Sequence, residues 1–270
     1  MLTRVLSVLL LALALSAGAE TPVVERVELP LIGWTEGAPA RMAVVSDLHA
    51  AAGEEEAMRA LAQQIIALRP AVVALLGDYA YSLEPSRSMA PETLARCLAP
   101  LAQSGARVLY ILGNHDSPAW DAALRAVGFT PADGRVLRHR FGRGRQVSFA
   151  GISFIYQGSR ADVAQRLPAR ATKGAPLVVL AHSPYLFLKY AFPQVSGVLA
   201  GHTHGGQICW PSGLPLRRNG KYSPEMQRGG RHELPGGGWL YITRGIGYSR
   251  VALRVNCPPE ITLIEFVPRR

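Results

Sequence analysis

Short apolar runs alternate with helix-periodic stretches along most of this chain. "RMAVVSD", Arg41 to Asp47, is an apolar run closed by Ser46 and Asp47, the pattern of a strand buried on both faces. "GEEEAMRALAQQIIAL" follows, with Met58, Leu61, Ile65 and Leu68 at helical spacing. "AVVALLGD" predicts a second strand, and "APETLARCLAPLAQSG" a second helix with Pro91 near its start and Gly105 just past its end. "RVLYILGNHD" predicts a third strand, with a helix after it around Trp120 to Val127. "RQVSFAGISFIYQG" predicts a hairpin or bent strand, while "APLVVLAHSP", "VSGVLAGHTH", "GGWLYITRG" and "EITLIEFV" predict further strands. Between them, Trp210 to Gly238 is rich in Gly, Pro and Arg and shows no periodicity, which predicts a long functional loop. Strands alternating with helices define an α/β fold with parallel strands under a helical cover. No linker interrupts the pattern, so residues 20–270 are expected to form a single domain.

The N-terminus follows a different rule. Arg4, an apolar stretch from Val5 to Leu15, and small residues at Ala17 and Ala19 have the layout of a secretory signal peptide over residues 1–19. An uncleaved N-terminal anchor is the alternative, although the apolar stretch falls short of the roughly 20 residues of a membrane span. The expected location is therefore the cell envelope or periplasm, free or attached to the inner membrane.

Composition adds two constraints. With 49% hydrophobic and 18% charged residues the chain is globular, not disordered. Its three cysteines, Cys97, Cys209 and Cys257, form no CxxC pair, so neither a zinc knuckle nor a disulfide framework is indicated. The formal net charge is +10. Five arginines and His139 fall between Arg135 and Arg145, and Arg217, Arg218, Lys221, Arg228 and Arg231 outnumber Glu225 and Glu233 in the long loop. Such a balance suits anionic partners: phosphate-bearing substrates or an anionic membrane surface. Nucleic acid is not expected, because no recognition module or stacking platform accompanies the charge.

The chemistry lies at the strand ends. The first strand ends in Asp47 and His49, the second in Asp78, and the third in Asn114, His115 and Asp116. The next two end in His182 and in His202 with His204. In parallel α/β sheets ligands bind beyond the carboxyl ends of strands, and here each such end delivers an oxygen or nitrogen donor. The residue before each first donor is small (Ser46, Gly77, Gly113, Ala181, Gly201), which lets the backbones converge. Seven donors, Asp47, His49, Asp78, Asn114, His182, His202 and His204, exceed one four-coordinate ion and suit two ions sharing a carboxylate. Carboxylate, amide and imidazole without thiolate point to manganese, with iron or zinc as alternatives. Two divalent ions and two carboxylates leave the centre cationic and ready for an anion such as phosphate.

This series of strand-end blocks, Asp47-x-His49, Gly77-Asp78, Gly113-Asn114-His115-Asp116, His182 and Gly201-His202-x-His204, resembles the calcineurin-like metallophosphoesterase family. The resemblance implies a four-layer α/β/β/α sandwich, two mixed sheets flanked by helices. It puts Asp47, His49, Asp78 and His204 on one metal and Asp78, Asn114, His182 and His202 on the other, with Asp78 bridging. It also implies that a metal-bridging hydroxide attacks phosphorus, with His115 beside the scissile phosphate and Asp116 orienting its ring. "GHTHGGQICWP", "TRGIGYSR" and "NCPPEITLIEF" resemble the exported or membrane-associated bacterial subgroup that includes UDP-diacylglucosamine pyrophosphatases of lipid A synthesis. The expected substrate is then a lipid-linked or envelope phosphodiester or pyrophosphate. Trp210 and Tyr222 are expected to rest on its lipid or sugar, and Arg244 to meet a phosphate. The alternatives are a nuclease or general phosphodiesterase, or a metal-binding envelope protein with little catalysis.

Overall fold

The apolar runs become the central strands of two six-stranded sheets in the computed structural model, which describes residues 21–31, 34, 40–81, 85–142, 145–154, 174–235 and 237–268. The strands are β1 (Val23–Leu31), β2 (Ala40–Val45), β3 (Val72–Leu75), β4 (Arg107–Tyr110), β5 (Thr130–Pro131), β6 (Val136–Phe141), β7 (Arg145–Ile152), β8 (Leu177–Ala181), β9 (Gly197–Ala200), β10 (Gly230–Glu233), β11 (Trp239–Ile242) and β12 (Glu260–Pro268). The helices are α1 (Glu55–Ala67), α2 (Pro91–Leu98), α3 (Pro100–Gln103), α4 (Pro118–Ala126), α5 (Tyr185–Lys189) and α6 (Pro224–Arg228).

The first sheet runs β1-β12-β2-β3-β4-β5 and the second β10-β11-β9-β8-β7-β6. Within the first, β2 to β5 are mutually parallel, while β12 is antiparallel to β2. Within the second, β7, β8, β9 and β11 are parallel, and β6 and β10 close the edges antiparallel. Both sheets are thus mixed, and each keeps a parallel centre whose strands end together.

Alternate residues along each central strand serve different layers. Met42, Val44, Val72, Ala74 and Leu109 face Phe149, Val178, Leu180, Leu199 and Trp239 in a core between the sheets. Their neighbours Ala43, Val45, Val73, Leu75 and Val108 pack outward against Met58, Leu61 and Ile65 of α1, Leu94 and Leu98 of α2, and Trp120 of α4. The outer face of the second sheet packs Val179, Val198 and Leu240 against Phe187 of α5, Phe192 and Leu234. Burial on both faces explains why these strands read as unbroken apolar runs. Each fully buried Leu, Ile or Phe contributes about 2 kcal/mol, which makes the two-sheet frame a rigid support for its strand ends.

Departures from the sequence pattern have local causes. The second helix is two segments, α2 and α3, because Pro100 has no N–H to continue the ladder. "RQVSFAGIS" is a single strand, β7, paired in a hairpin with β6, so the basic run from Arg135 forms an edge hairpin. Arg143 and the end of that run's expected strand, "IYQG", lie outside the described residues, as does the signal segment 1–19. The stretch from Trp210 to Gly238 is not all loop: it holds α6 and β10. Edge strands β1, β6 and β10 mix polar and apolar residues because one face meets solvent, so apolar runs do not mark them. Among the described residues no helix is long and apolar enough to cross a membrane.

Candidate metal centre

Both sheets deliver donors to one place. Asp47 and His49 follow β2, Asp78 follows β3, and Asn114 follows β4. His182 follows β8, and His202 and His204 follow β9. The turns pair with one another beyond the strands: Asp47 N–H donates to Gly77 O at 2.9 Å, His49 N–H to Asp78 O at 3.0 Å, and Gly201 N–H to His182 O at 3.0 Å. The sheets are tied across the centre by His202 N–H donating to Asp47 Oδ2 at 2.9 Å. Asp47, His49, Asp78 and His182 are buried to within about 2%.

Five of the seven donors sit in left-handed backbone. Asp47, His49, Asp78, His202 and His204 have φ of 54°, 42°, 57°, 70° and 53°. Such a conformation costs an L-residue on the order of 1 kcal/mol. Five instances at one centre mark a functional constraint: each sharp bend aims a polar side chain beyond its strand end. The small residues before the donors then have a steric role. A Cβ on Gly113 would run into the Asp78 side chain, and one on Gly201 into Ser46 and Asp47.

The donor atoms fall into two groups, Asp47 with His49 and His204, and Asp78 with His182 and His202. In the first, His49 Nε2 lies 3.2 Å from His204 Nε2, and His204 Nε2 lies 3.5 Å from Asp47 Oδ1. In the second, His182 Nε2 lies 3.1 Å from His202 Nδ1, 3.1 Å from Asn114 Oδ1 and 3.3 Å from Asp78 Oδ2. Asp78 Oδ2 also lies 3.6 Å from His49 Nε2, so one carboxylate oxygen stands between the two groups. Its other oxygen accepts the His115 N–H at 2.9 Å.

Tautomers show what the centre is made to hold. His49 Nδ1 and His182 Nδ1 face the carbonyls of Ala80 and Leu76 at 2.9 and 2.8 Å, which fixes their protons there. That leaves each Nε2 directed at other acceptor atoms barely 3 Å away. Acceptors converging so closely repel one another unless a cation lies among them, a proton between His182 and Asp78 in the metal-free pocket or a metal ion. The donors therefore fit two divalent ions sharing Asp78.

Electrostatics in the metal-free pocket follow burial and pairing. Burial alone would raise Asp78, but the imidazoles of His182 and His49 overturn that and hold it well below the usual carboxylate range. Burial also works against a charged His182, yet the Asp78 carboxylate lifts it to about 9. His202 and His204 are pushed down by burial, to about 4 and about 3.

Asp116 does not orient the His115 ring. Its carboxylate accepts four backbone N–H groups: Asp78 at 2.8 Å, Tyr79 at 2.7 Å, Ala80 at 3.2 Å and Gly113 at 2.7 Å. Four donors converging from two turns leave the carboxylate facing backbone, and it locks the ends of β3 and β4 together. His115 is half-buried, its ring edge-on to that of His49 with centroids 4.9 Å apart, and its Nδ1 has no hydrogen-bond partner among the described residues.

A pocket of about 910 Å³ opens over the centre and is lined by Asn114, His115, His202 and His204 on one side. Tyr81, Arg87, Arg217, Arg218, Tyr248 and Arg250 also line it, and among the described residues no carboxylate does. The residues expected to meet substrate lie elsewhere. Trp210 is 57% exposed and outside this lining, held on a tight turn by its N–H to Leu214 O. Tyr222 is buried, its hydroxyl 3.1 Å from Ser183 Oγ. Arg244 is paired with Glu260 at 2.8 Å and Glu25 at 3.1 Å, which neutralises it against a phosphate.

Sequence patterns also pass over the residues that brace the site. Arg254 is buried and donates to the carbonyls of Arg244, Gly247, His204 and Cys257, tying the β11–β12 loop to the His204 turn. Cys209 and Cys257, both free thiols, back the same turn through Gly205 O and His204 O.

The family model for calcineurin-like phosphoesterases matches residues 40–206. The chain belongs to the calcineurin-like phosphoesterase family, a class of metal-dependent hydrolases. It is 30% identical over 209 residues to phosphodiesterase YaeI of Escherichia coli, covering 74% of this chain and 71% of that protein. It is 28% identical over 285 residues to a transmembrane protein with metallophosphoesterase domain from Danio rerio, covering 97% of this chain but only 61% of the relative. Among solved structures, a dimetal phosphatase from Danio rerio superposes with a TM-score of 0.48 at 13% identity, covering 77% of this chain and 88% of that one.

Proposed function

We propose that this chain is a two-metal phosphodiester hydrolase acting on phosphate-bearing molecules of the cell envelope, with residues 20–270 as its one catalytic domain. The observation that carries the reading is the single Asp78 oxygen standing between two histidine groups. Asp47, His49, Asp78 and His204 would hold one ion, and Asp78, Asn114, His182 and His202 the other. The thiolate-free donor set favours manganese over a sulfur-seeking metal.

When bound, two such ions polarise the phosphoryl oxygens and bring the pKa of a coordinated water toward neutrality. The chain's own residues do the rest. His115 lines the pocket beside the donors, so it is the group to give a proton or hydrogen bond to the leaving oxygen. Asp116 is a positioning residue that keeps Asp78 and the Gly113–His115 turn in register. The cationic wall draws an anionic substrate in.

The export pattern of residues 1–19 supports a substrate beyond the inner membrane, and the exposed Trp210 beside a basic loop suits an anionic lipid surface. A lipid-linked phosphodiester or pyrophosphate is the preferred substrate, with UDP-diacylglucosamine as one member of the class. Hydrolysis of bis(p-nitrophenyl) phosphate by the manganese-loaded protein, lost in EDTA and restored by manganese, is the expected outcome. A panel of lipid-linked phosphodiesters and pyrophosphates read by mass spectrometry then identifies the class. No hydrolysis of any of these with metal bound refutes the reading.

A further inference from the structure

Two buried glutamines hold two arginines at the wall of the metal pocket in the same way. Gln207 is 6% exposed; its Oε1 accepts the Ser249 N–H at 2.8 Å and its Nε2 donates to Val251 O at 2.6 Å. Those contacts are to the residues immediately before and after Arg250. Gln227 is 8% exposed; its Oε1 accepts the Asn219 N–H at 2.8 Å and its Nε2 donates to Arg217 O at 2.9 Å. Those are the residues immediately before and after Arg218. In each case one side-chain amide satisfies a donor and an acceptor on an irregular segment, as a neighbouring strand would. Arg250 itself is held at φ 67°, a strained setting for a residue with a side chain.

Fixing the backbone on both sides of an exposed arginine has no evident use on a solvated face. Here both arginines line the pocket that contains Asn114, His115, His202 and His204, together with Arg87 and Arg217. Among the described residues no Asp or Glu lines that pocket, and none of the four arginines forms an ion pair with a described carboxylate. The field of Arg218 reaches the exposed Glu225 on α6 without such a pair. The pocket thus combines the metal donors with guanidinium groups carried on braced backbone. Guanidinium is the side chain that binds phosphate oxygens in pairs.

We propose that Arg218 and Arg250, each set by a buried glutamine, form a second anion subsite in the metal pocket, which selects substrates carrying a further phosphate group besides the phosphodiester that is cleaved. This rests on the phosphodiester-hydrolase reading above. Gln207 and Gln227 are positioning residues for it.

The test compares thymidine 5′-(p-nitrophenyl phosphate) with the same ester carrying an added 3′-phosphate, so that the bond cleaved is identical. The manganese-loaded protein is expected to favour the 3′-phosphorylated ester in kcat/KM by roughly tenfold or more, the strength of a charged hydrogen bond. The Arg218→Ala/Arg250→Ala pair should abolish that preference, chiefly through KM. Gln227→Leu should raise KM for the 3′-phosphorylated ester with kcat held, a split that a general loss of folded protein does not produce. Arg96→Gln, at an exposed position of helix α2, is the control in which the preference stays. Calorimetric binding of thymidine 3′,5′-bisphosphate against thymidine 5′-monophosphate gives a readout free of turnover. Tighter bisphosphate binding that vanishes in the double arginine variant supports the subsite, even if neither ester is cleaved and the hydrolase reading falls. Equal binding of the two nucleotides, or a preference that survives in the double variant, overturns the subsite even if both esters are hydrolysed.

Discussion

The carboxylate of Asp116 accepts the backbone N–H of Asp78 at 2.8 Å. The residue that stands between the two donor groups is therefore held by a side chain that touches no metal donor atom. Because Asp116 also accepts from Gly113, one carboxylate sets the distance between the β3 and β4 turns. Asp116→Asn should weaken manganese binding about 10–100-fold, the range for residues that orient metal ligands. It should also lower the stability of the metal-free protein by at least about 1–3 kcal/mol, since whichever oxygen becomes the amide nitrogen leaves two buried N–H groups without an acceptor. Manganese titration and thermal unfolding of the same variant check both. Unchanged affinity would mean that Asp116 does not position Asp78.

His115 is expected to behave in the opposite way. Its Nδ1 has no hydrogen-bond partner among the described residues and its backbone N–H to Asp78 survives truncation, so removing the ring costs the donors only the edge-on packing against His49. His115→Ala should keep two manganese ions per chain while kcat falls about 10²–10⁴-fold, the range for a lost general acid. Metal analysis alongside kcat measures this. Loss of metal together with activity would make His115 a structural residue.

Steric closeness at the strand ends gives a third expectation. A Cβ on Gly113 would overlap the Asp78 side chain, backbone and carboxylate alike, with no flexible neighbour to yield. Gly113→Ala should cost about 1–3 kcal/mol as an overpacked site and displace Asp78 enough to lose metal. Unfolding by urea and metal content report the two effects separately.

The central strands, and the strand-end placement of the seven side chains that converge, are legible in the sequence because two signals coincide: an apolar run buried on both faces, then a small residue, then a polar side chain. Nothing in the sequence separates Asp116 as a backbone acceptor from Asp116 as a partner of its neighbour's ring, since that depends on turns meeting across 38 residues. Arg254 and Gln227 are invisible for a similar reason, because their partners are backbone carbonyls and N–H groups, which every residue type carries. Arg244 looked free for phosphate until the fold brought Glu260 and Glu25 beside it. The α6 and β10 elements span only five and four residues, too few for periodicity to show.

The metal-free protein should lose stability as pH falls below about 6.5. His202 and His204, pushed down to about 4 and about 3 by burial, stay neutral in the fold while the unfolded chain protonates them below about 6.5, so stability falls on acidification. Asp116, raised to about 6 by burial and by Asp78, binds a proton in the fold first and offsets part of this. His115, His139 and His232, also lowered by burial, act in the same direction as His202 and His204, so the loss is on the order of 1 kcal/mol per pH unit or more. Above pH 6.5 two buried groups oppose each other: His182, lifted to about 9 by Asp78 despite its burial, loses its contribution as pH rises, while Cys257, lowered to about 6 chiefly by its hydrogen bond with Cys209, gains one. Urea unfolding in EDTA across pH 4.5 to 6.5 should show stability falling with pH, and stability that rises on acidification would contradict it.

The most direct measurement of the central claim is a manganese titration of the metal-free protein in which bound metal and bis(p-nitrophenyl) phosphate hydrolysis are read from the same samples. The shared Asp78 oxygen predicts two ions bound per chain, with hydrolysis rising as the second site fills. In Asp78→Ala both sites should weaken together and hydrolysis should disappear. Full hydrolysis with one ion per chain, or in EDTA with none, would contradict a two-metal centre built on Asp78.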